Sequence, residues 1–357
     1  MSKIIAFYLP QYHPTPENNE WWGEGFTDWR SVNMAKPLFK GHIQPKIPAD
    51  LGYYDLRLEE TRIQQGQMAQ EYGIDAFCYW HYWFGGGKRL LNLPFDEVVK
   101  TGKPSIPFCL GWANHSWYKK AWGGQGKDKL LIEQKYPGIE DYILHFNTML
   151  PAFKDPRYLR HNGKLVFIIY VPLASPEIKV FIDTWRKLAK ENGLNDFFFV
   201  GKDKYSEDKV KILEMGFDAN YNDNMFGILH RESIISKGIR FIKQKLFGTA
   251  MVFEYKEAAK YFITEEEEKE DTVPTIVPNW DHSPRSGVSN PIFVNTKPEY
   301  FKEVVTRACK MVNTKKNDLL IIKSWNEWGE GNYLEPDMQY GRGILEALRD
   351  GKSKSRL

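Results

Sequence analysis

Cysteine is scarce in this 357-residue chain: Cys78, Cys109 and Cys309 are the only three, and no two have CxxC spacing. Cys78 and Cys109 lie inside apolar runs, where buried free thiols are expected, and unpaired thiols point to a reducing compartment. Charge of one sign is also missing. Against 49 basic residues stand 46 acidic ones, a net charge of +3, which leaves no footprint for nucleic acid. The apolar run within residues 1–10 (MSKIIAFYLP) is too short for a signal peptide or a membrane span. No stable membrane insertion is therefore expected. The sequence as given reads as cytoplasmic, or as periplasmic or secreted if a leader precedes it. No GxGxxG or GxxxxGK[ST] follows an apolar run, no HxH or HExxH is present, and no Ser or Cys sits in a nucleophile elbow. Neither a metal nor another cofactor is expected.

Aromatic residues, by contrast, are plentiful, at 15% with twelve Trp, and hydrophobic residues reach 42%, enough for a large core. Short apolar runs rich in β-branched and aromatic residues fall at 4–10, 75–82, 106–112, 165–170, 197–201, 218–222, 275–280 and 319–325. Segments of helical period fall between or after them at 56–72, 89–101, 139–150, 177–192, 206–215, 255–263, 298–313 and 339–349. Alternation of this kind means βα units, and eight such units close most simply into one (β/α)8 TIM barrel with long βα loops. An open doubly wound sheet is the rival. The barrel is expected to occupy 1–350, with 351–357 a frayed polar tail. Residues 232–246 read as a basic amphipathic helix beside the barrel mouth, and the charge run 265–271 (EEEEKED) as a solvated loop.

In such a barrel the active site lies at the C-terminal ends of the strands. Those ends carry Tyr12 and His13; Trp80, His81 and Tyr82; Trp112, Asn114, His115 and Trp117; Tyr170; Lys202 and Asp203; Asn222 and Asp223; Trp280, Asp281 and His282; and Trp325, Asn326 and Trp328. Every Trp except Trp185 falls in these ends or in the loops that follow them. Flat aromatic faces beside dense hydrogen-bonding groups suit a sugar polymer, although bulky residues can equally plug a barrel mouth. His13, His81, His115 and His282 fit sugar hydrogen bonding better than metal ligation. Asp203, Asp223 and Asp281 either bind substrate hydroxyls or cap the next helix.

The sharpest chemical signal is Trp325-Asn326-Glu327-Trp328-Gly329-Glu330-Gly331. If the chain turns helically after the last strand, Glu327 and Glu330 share a face. Glycosidic cleavage needs two carboxyl groups flanking one bond, about 5–5.5 Å apart in the retaining geometry. An apolar wall and a like-charged neighbour would keep one of them protonated.

The segments FYLPQYHP, EGFTDW, GIDAFCYWHYWF, LGWANHSW and SWNEWGEG together resemble WbsX-type proteins, labelled as lipopolysaccharide-biosynthesis glycosyltransferases. Those in turn are similar to glycoside hydrolase family 99, the endo-α-mannosidases. The resemblance covers nearly the whole chain. It implies a (β/α)8 barrel, metal-independent retaining hydrolysis and an oligo- or polysaccharide substrate. It also implies roles: Glu327 as a base on the sugar's own 2-hydroxyl, and Glu330 as the acid at the leaving oxygen. Three functions stay open from sequence: an endo-acting retaining hydrolase, a glycosyltransferase of O-antigen or capsule assembly, and a non-catalytic sugar-binding barrel. For the transferase, Asn222-Asp223-Asn224 is a faint stand-in for a metal-diphosphate motif.

Overall fold

A computed structural model describes residues 1–119, 127–205, 207–231, 237, 238, 240, 242, 244, 246 and 248–356. Eight parallel strands form its centre: β1 (Lys3–Tyr8), β2 (Ala76–Trp83), β3 (Phe108–Trp112), β4 (Lys164–Ile169), β5 (Phe197–Lys202), β6 (Ala219–Tyr221), β7 (Thr275–Ile276) and β8 (Leu319–Ile322). Their order in the sheet is β6-β5-β4-β3-β2-β1-β8-β7. The remaining seam, β7 to β6, is joined by a parallel bridge between Asn220 and Thr272, with Asn220 N donating to Asp271 O at 2.8 Å and Val273 N to Asn220 O at 2.7 Å. The ring is thereby a TIM barrel rather than the open sheet.

The strands read as continuous apolar runs because both faces are covered. All eight residues of β2, AFCYWHYW, are buried. The outer layer is α1 (Glu59–Glu71), α2 (Leu93–Thr101), α3 (Ile139–Lys154), α4 (Ile178–Glu191), α5 (Asp208–Glu214), α6 (Tyr255–Ala258), α7 (Pro298–Val312) and α8 (Gly343–Lys354). α4 shows how they attach: Ile178, Phe181, Ile182, Trp185 and Ala189 repeat at helical spacing and are buried.

Two expectations fail locally. The tail is not frayed: α8 runs to Lys354, and Lys352 donates to Gly73 O (2.8 Å) and Asp75 Oδ2 (2.5 Å). Nor is the acidic run wholly solvated. Thr264 caps a 3-10 turn over Glu265–Glu268, and this capping box turns Glu267 inward, where Oε1 accepts from Asn224 Nδ2 at 2.7 Å. Most of 232–246 lies outside the described residues, as does Trp122. Among the described residues no helix is long and apolar enough to cross a membrane.

Candidate active site

Beyond β8 the chain does not enter a helix. Asn326–Glu327 pairs antiparallel with Asn332–Tyr333, and Trp328–Glu330 makes one 3-10 turn between them. The loop after the neighbouring strand β1 and the hairpin's own side chains fix this turn. Asn326 accepts from Leu9 N (2.7 Å) and donates to Leu9 O (3.0 Å). Tyr12 donates its hydroxyl to Asn326 O at 2.7 Å and accepts from Trp328 N at 3.0 Å. Trp328 stacks on Tyr333 at 3.7 Å between centroids, and its Nε1 donates to Glu335 Oε2 at 2.6 Å. Glu335 also accepts from Tyr54 and Gln65, and burial pushes its carboxyl up to about 7.

Glu327 and Glu330 project from this turn into a cavity of about 230 Å3 at the C-terminal ends of the strands. Its walls include Phe7, Trp80, Tyr82, Trp117, Tyr170 and Tyr221. Gly111 on β3 makes room for Trp80, since a Cβ there would stand 3.0 Å from the indole. Trp80 stacks on Phe7 at 4.5 Å and meets Tyr170 edge-on at 5.5 Å. The cavity continues past Tyr170, Asp223, Lys323 and Glu330 into a wider one of about 990 Å3. That arm is lined by Lys202, Asp203, Asn222, Trp280 and the charged residues around them. In another direction, past Gln11 and Arg285, a space of about 350 Å3 runs along Trp22 and Phe26.

The two glutamates sit in different fields. Burial, reinforced by the charge of Glu330, pushes the Glu327 carboxyl up to about 8 against the pull of Arg285. Burial acts the same way on Glu330, but Lys323, His282 and Arg285 outweigh it and hold Glu330 below the ordinary carboxylate range. This balance favours the proton of the pair on Glu327, the reverse of the roles implied by the family resemblance. Asp223 accepts from Lys202 at 2.6 Å and Lys323 at 3.4 Å. Burial would raise Asp223, but the two ammoniums hold it well below the ordinary range. Burial also pushes the Asp203 carboxyl up to about 7 and His115 down to about 4, leaving that imidazole neutral.

Of the residues singled out from sequence, Trp80, Tyr82, Trp117, Tyr170, Asp223, Glu327 and Glu330 line the narrow cavity, and Lys202, Asn222 and Trp280 the wide one. Trp280 is 4% exposed and covered by Lys323, whose ammonium stands 4.9 Å from its ring, so it offers little stacking face. Other expected contacts need correction: Tyr12, His13, His81, Trp112, Asn114, Asp281, Trp325, Asn326 and Trp328 are buried and line neither cavity. His81 packs against His145, with Nε2 atoms 2.7 Å apart, and burial keeps both imidazoles neutral. Burial likewise lowers His13 to about 4. Trp112 donates to Trp83 O (3.0 Å), and Asn114 brackets the backbone of Val171. Asp281 accepts from His42, Gln44 and Ser283 N, so it ties loops together just ahead of the short helix Ser283–Ser286. These residues build the site from behind because strand ends alternate between the mouth and the packing layers.

Sequence reasoning missed Arg285, Asp28 and Lys323. Arg285 donates to Asp28 Oδ2 at 2.6 Å and to Glu330 Oε1 at 3.3 Å. Lys323 had a visible signal, as a charge closing the apolar run of β8, and Asp28 sits inside EGFTDW. Arg285 had none. Among the described residues no group of three or more His, Cys, Asp or Glu is placed to hold a metal ion.

The family model described as Glycosyltransferase WbsX matches residues 4–348. The chain belongs to the WbsX family. It is 33% identical over 359 residues to the protein WxcX of Xanthomonas campestris pv. campestris (strain B100), covering 99% of this chain. It spans about half the length of the curated relatives it matches, 50% in that case. In fold it resembles the GH99 endo-α-mannosidase of Bacteroides thetaiotaomicron bound to bis-tris propane, with a TM-score of 0.57, 16% identity, and 99% of this chain and 97% of that one covered. A glycoside hydrolase-like protein gives a TM-score of 0.56 at 14% identity, covering 98% of this chain and 93% of that one. At such identities these two structures speak for the fold.

Proposed function

We propose that this WbsX-family barrel is a glycoside hydrolase that cleaves inside an oligo- or polysaccharide, with Glu327 and Glu330 as the reacting pair. One observation carries the reading: two carboxyls of opposite pKa displacement, three residues apart, share a cavity walled by Trp80, Tyr82 and Trp117. Cavities lead away from the pair on more than one side, as cleavage within a chain requires. Lys202 and Lys323 balance Asp223 and Glu330, Arg285 balances Asp28, and Glu327 is protonated near neutrality. A centre without net charge favours a neutral sugar.

The family resemblance makes Glu327 the base toward the 2-hydroxyl and Glu330 the acid. In the proposed cycle the proton must then move from Glu327 to Glu330 as the sugar enters. Glu327 Oε2 accepts no hydrogen bond from the described residues. A hydroxyl donated to that oxygen favours its ionised form. The hydroxyl then attacks the anomeric carbon, forming a 1,2-anhydro sugar while Glu330 protonates the departing oxygen. Water, deprotonated by Glu330, opens the anhydro ring, and the opened oxygen takes its proton back from Glu327. Anomeric configuration is retained.

A second reading, transfer from a sugar nucleotide, draws on the family's description and on the cations Lys202, Lys323 and Arg285 in the cleft. One experiment separates them. Bacterial polysaccharides and α-mannan are screened for new reducing ends in EDTA, beside a sugar-nucleotide hydrolysis assay, and NMR follows the first-formed anomer. New reducing ends with retained configuration, undiminished by EDTA, are expected. Nucleotide release without polysaccharide cleavage would replace the hydrolase with the transferase.

A further inference from the structure

The glycine between the two glutamates has no room for a side chain. A Cβ on Gly329 would collide with Asp28 Oδ2 and stand 2.6 Å from Arg285 Nε. An ion pair drawn from two other loops occupies that space. Asp28 comes from the EGFTDW segment after β1, and Arg285 from the short helix Ser283–Ser286 after β7. Arg285 Nη2 donates to Asp28 Oδ2 at 2.6 Å and Nε donates to Oδ1 at 3.3 Å, so one edge of the planar guanidinium is anchored. From there it reaches both glutamates. Nη1 donates to Glu330 Oε1 at 3.3 Å, while Nη2 lies 3.6 Å from Glu327 Oε2. The second contact is not a hydrogen bond, being a few tenths of an ångström longer than the first.

We propose that Arg285, anchored by Asp28 and admitted by the bare backbone at Gly329, is a positioning residue that serves the two glutamates in turn. The proposal rests on the reading of Glu327 and Glu330 as the reacting pair. Whenever a proton passes from one member of such a pair to the other, the ionised member changes place. A cation bonded to one of them alone would oppose the exchange. A guanidinium with a nitrogen toward each can shift its hydrogen bond from Glu330 to Glu327 by a small rotation while Asp28 holds it. Lysine, a point charge on a flexible stem, cannot keep both contacts. The proposal also gives EGFTDW a purpose: it delivers the anchor.

The test reads the glutamates themselves. Protein carrying 13C at glutamate Cδ is titrated by NMR, with Glu327→Gln and Glu330→Gln assigning the two signals. Lys323 just after β8, His282 beside Arg285, Asp223 after β6, Tyr82 on β2 and Tyr12 after β1 also face the pair and stay unchanged in every variant. In Arg285→Gln both titrations are expected to rise, by on the order of 1–3 pH units. Arg285→Lys should restore Glu330 more than Glu327, because the charge returns without the fork. Gly329→Ala should raise both with no charge removed, by displacing the strap. Melting temperature is followed in parallel. A merely structural role would lower it and leave the titrations in place. A folded Arg285→Gln protein in which neither signal moves, or only that of Glu330, overturns the proposal. Should that variant not fold, unchanged titrations in Gly329→Ala overturn it instead. No substrate is needed, so a chain that cleaves no glycoside yet shows both shifts keeps the strap and loses the functional reading.

Discussion

The two arms that meet at the glutamate pair are made of different material. In the narrow arm the walls are rings locked against one another: Phe7 on Trp80, Trp80 against Tyr170, and Tyr82 against Trp117 at 5.0 Å. In the wide arm they are ions in pairs, with Lys202 on Asp223, and Lys209 held by Glu266 and Asp271. Stacked rings present a fixed apolar face at little further entropic cost, whereas ion pairs present donors and acceptors that can be re-partnered. Under the proposed function, the ring walls would grip the sugar at the reacting bond, and the ionic walls would read hydroxyls of a neighbouring unit.

The comparison breaks most sharply at the junction. Glu330→Gln is expected to cut turnover of unactivated glycosides about 10²–10⁴-fold while sparing aryl glycosides, which need little protonation. Steady-state rates on both substrate types decide it, and equal losses would remove the acid role. In the narrow arm, Trp117→Ala should weaken oligosaccharide binding by about 1–3 kcal/mol with the fold intact. Calorimetry reads the affinity, and a collapsed melting temperature with unchanged affinity would make Trp117 a packing residue. In the wide arm, Lys202→Met leaves Asp223 with Lys323 alone. Its effect should appear chiefly in stability, with urea unfolding showing a loss on the order of 1–3 kcal/mol at pH 7. Because the Asp223 carboxyl lies below its ordinary value, that loss should fade as acidification protonates it in the wild type. The last test is a pH-dependent one at Glu327. Its folded pKa of about 8 exceeds the ordinary 4.5, so its contribution is present below the ordinary value and is lost as pH rises through about 8. Glu327→Gln should therefore melt higher than wild type above pH 8 and converge with it near pH 5. A melting curve that ignores pH would contradict the protonated resting state.

The barrel was legible because its evidence is local. Runs such as LVFIIY and LLIIKSW can be buried on both faces only inside a parallel sheet, and each is followed by a helical period. The carboxylate pair was legible because both members lie in one seven-residue segment. What remained hidden depended on partners far apart in sequence. Arg285 gains its meaning from Asp28 and Glu330, and His81 from His145. Aromatic richness pointed to the mouth, yet Trp29, Trp83, Trp112, Trp325 and Trp328 are buried behind it. A strand-end position says which layer a residue belongs to, and its pleat says which way it faces. At the irregular ends of β2, β3 and β8, sequence supplied the first without the second.

The seam between β6 and β7 differs from the rest of the ring. Five consecutive residue pairs register β4 with β5, whereas among the described residues β6 meets the β7 side at one bridge, between Asn220 and Thr272. A hoop yields at its least riveted stave, and this one lies beneath the wide arm. Amide protons of Asn220 and Val273 should exchange with solvent ahead of those in β4, which native-state exchange would read residue by residue. If they do, one flank of the mouth is a hinge in waiting and the other a fixed jaw. A catalyst built that way can tolerate variety in the unit it holds loosely while staying strict about the bond it breaks.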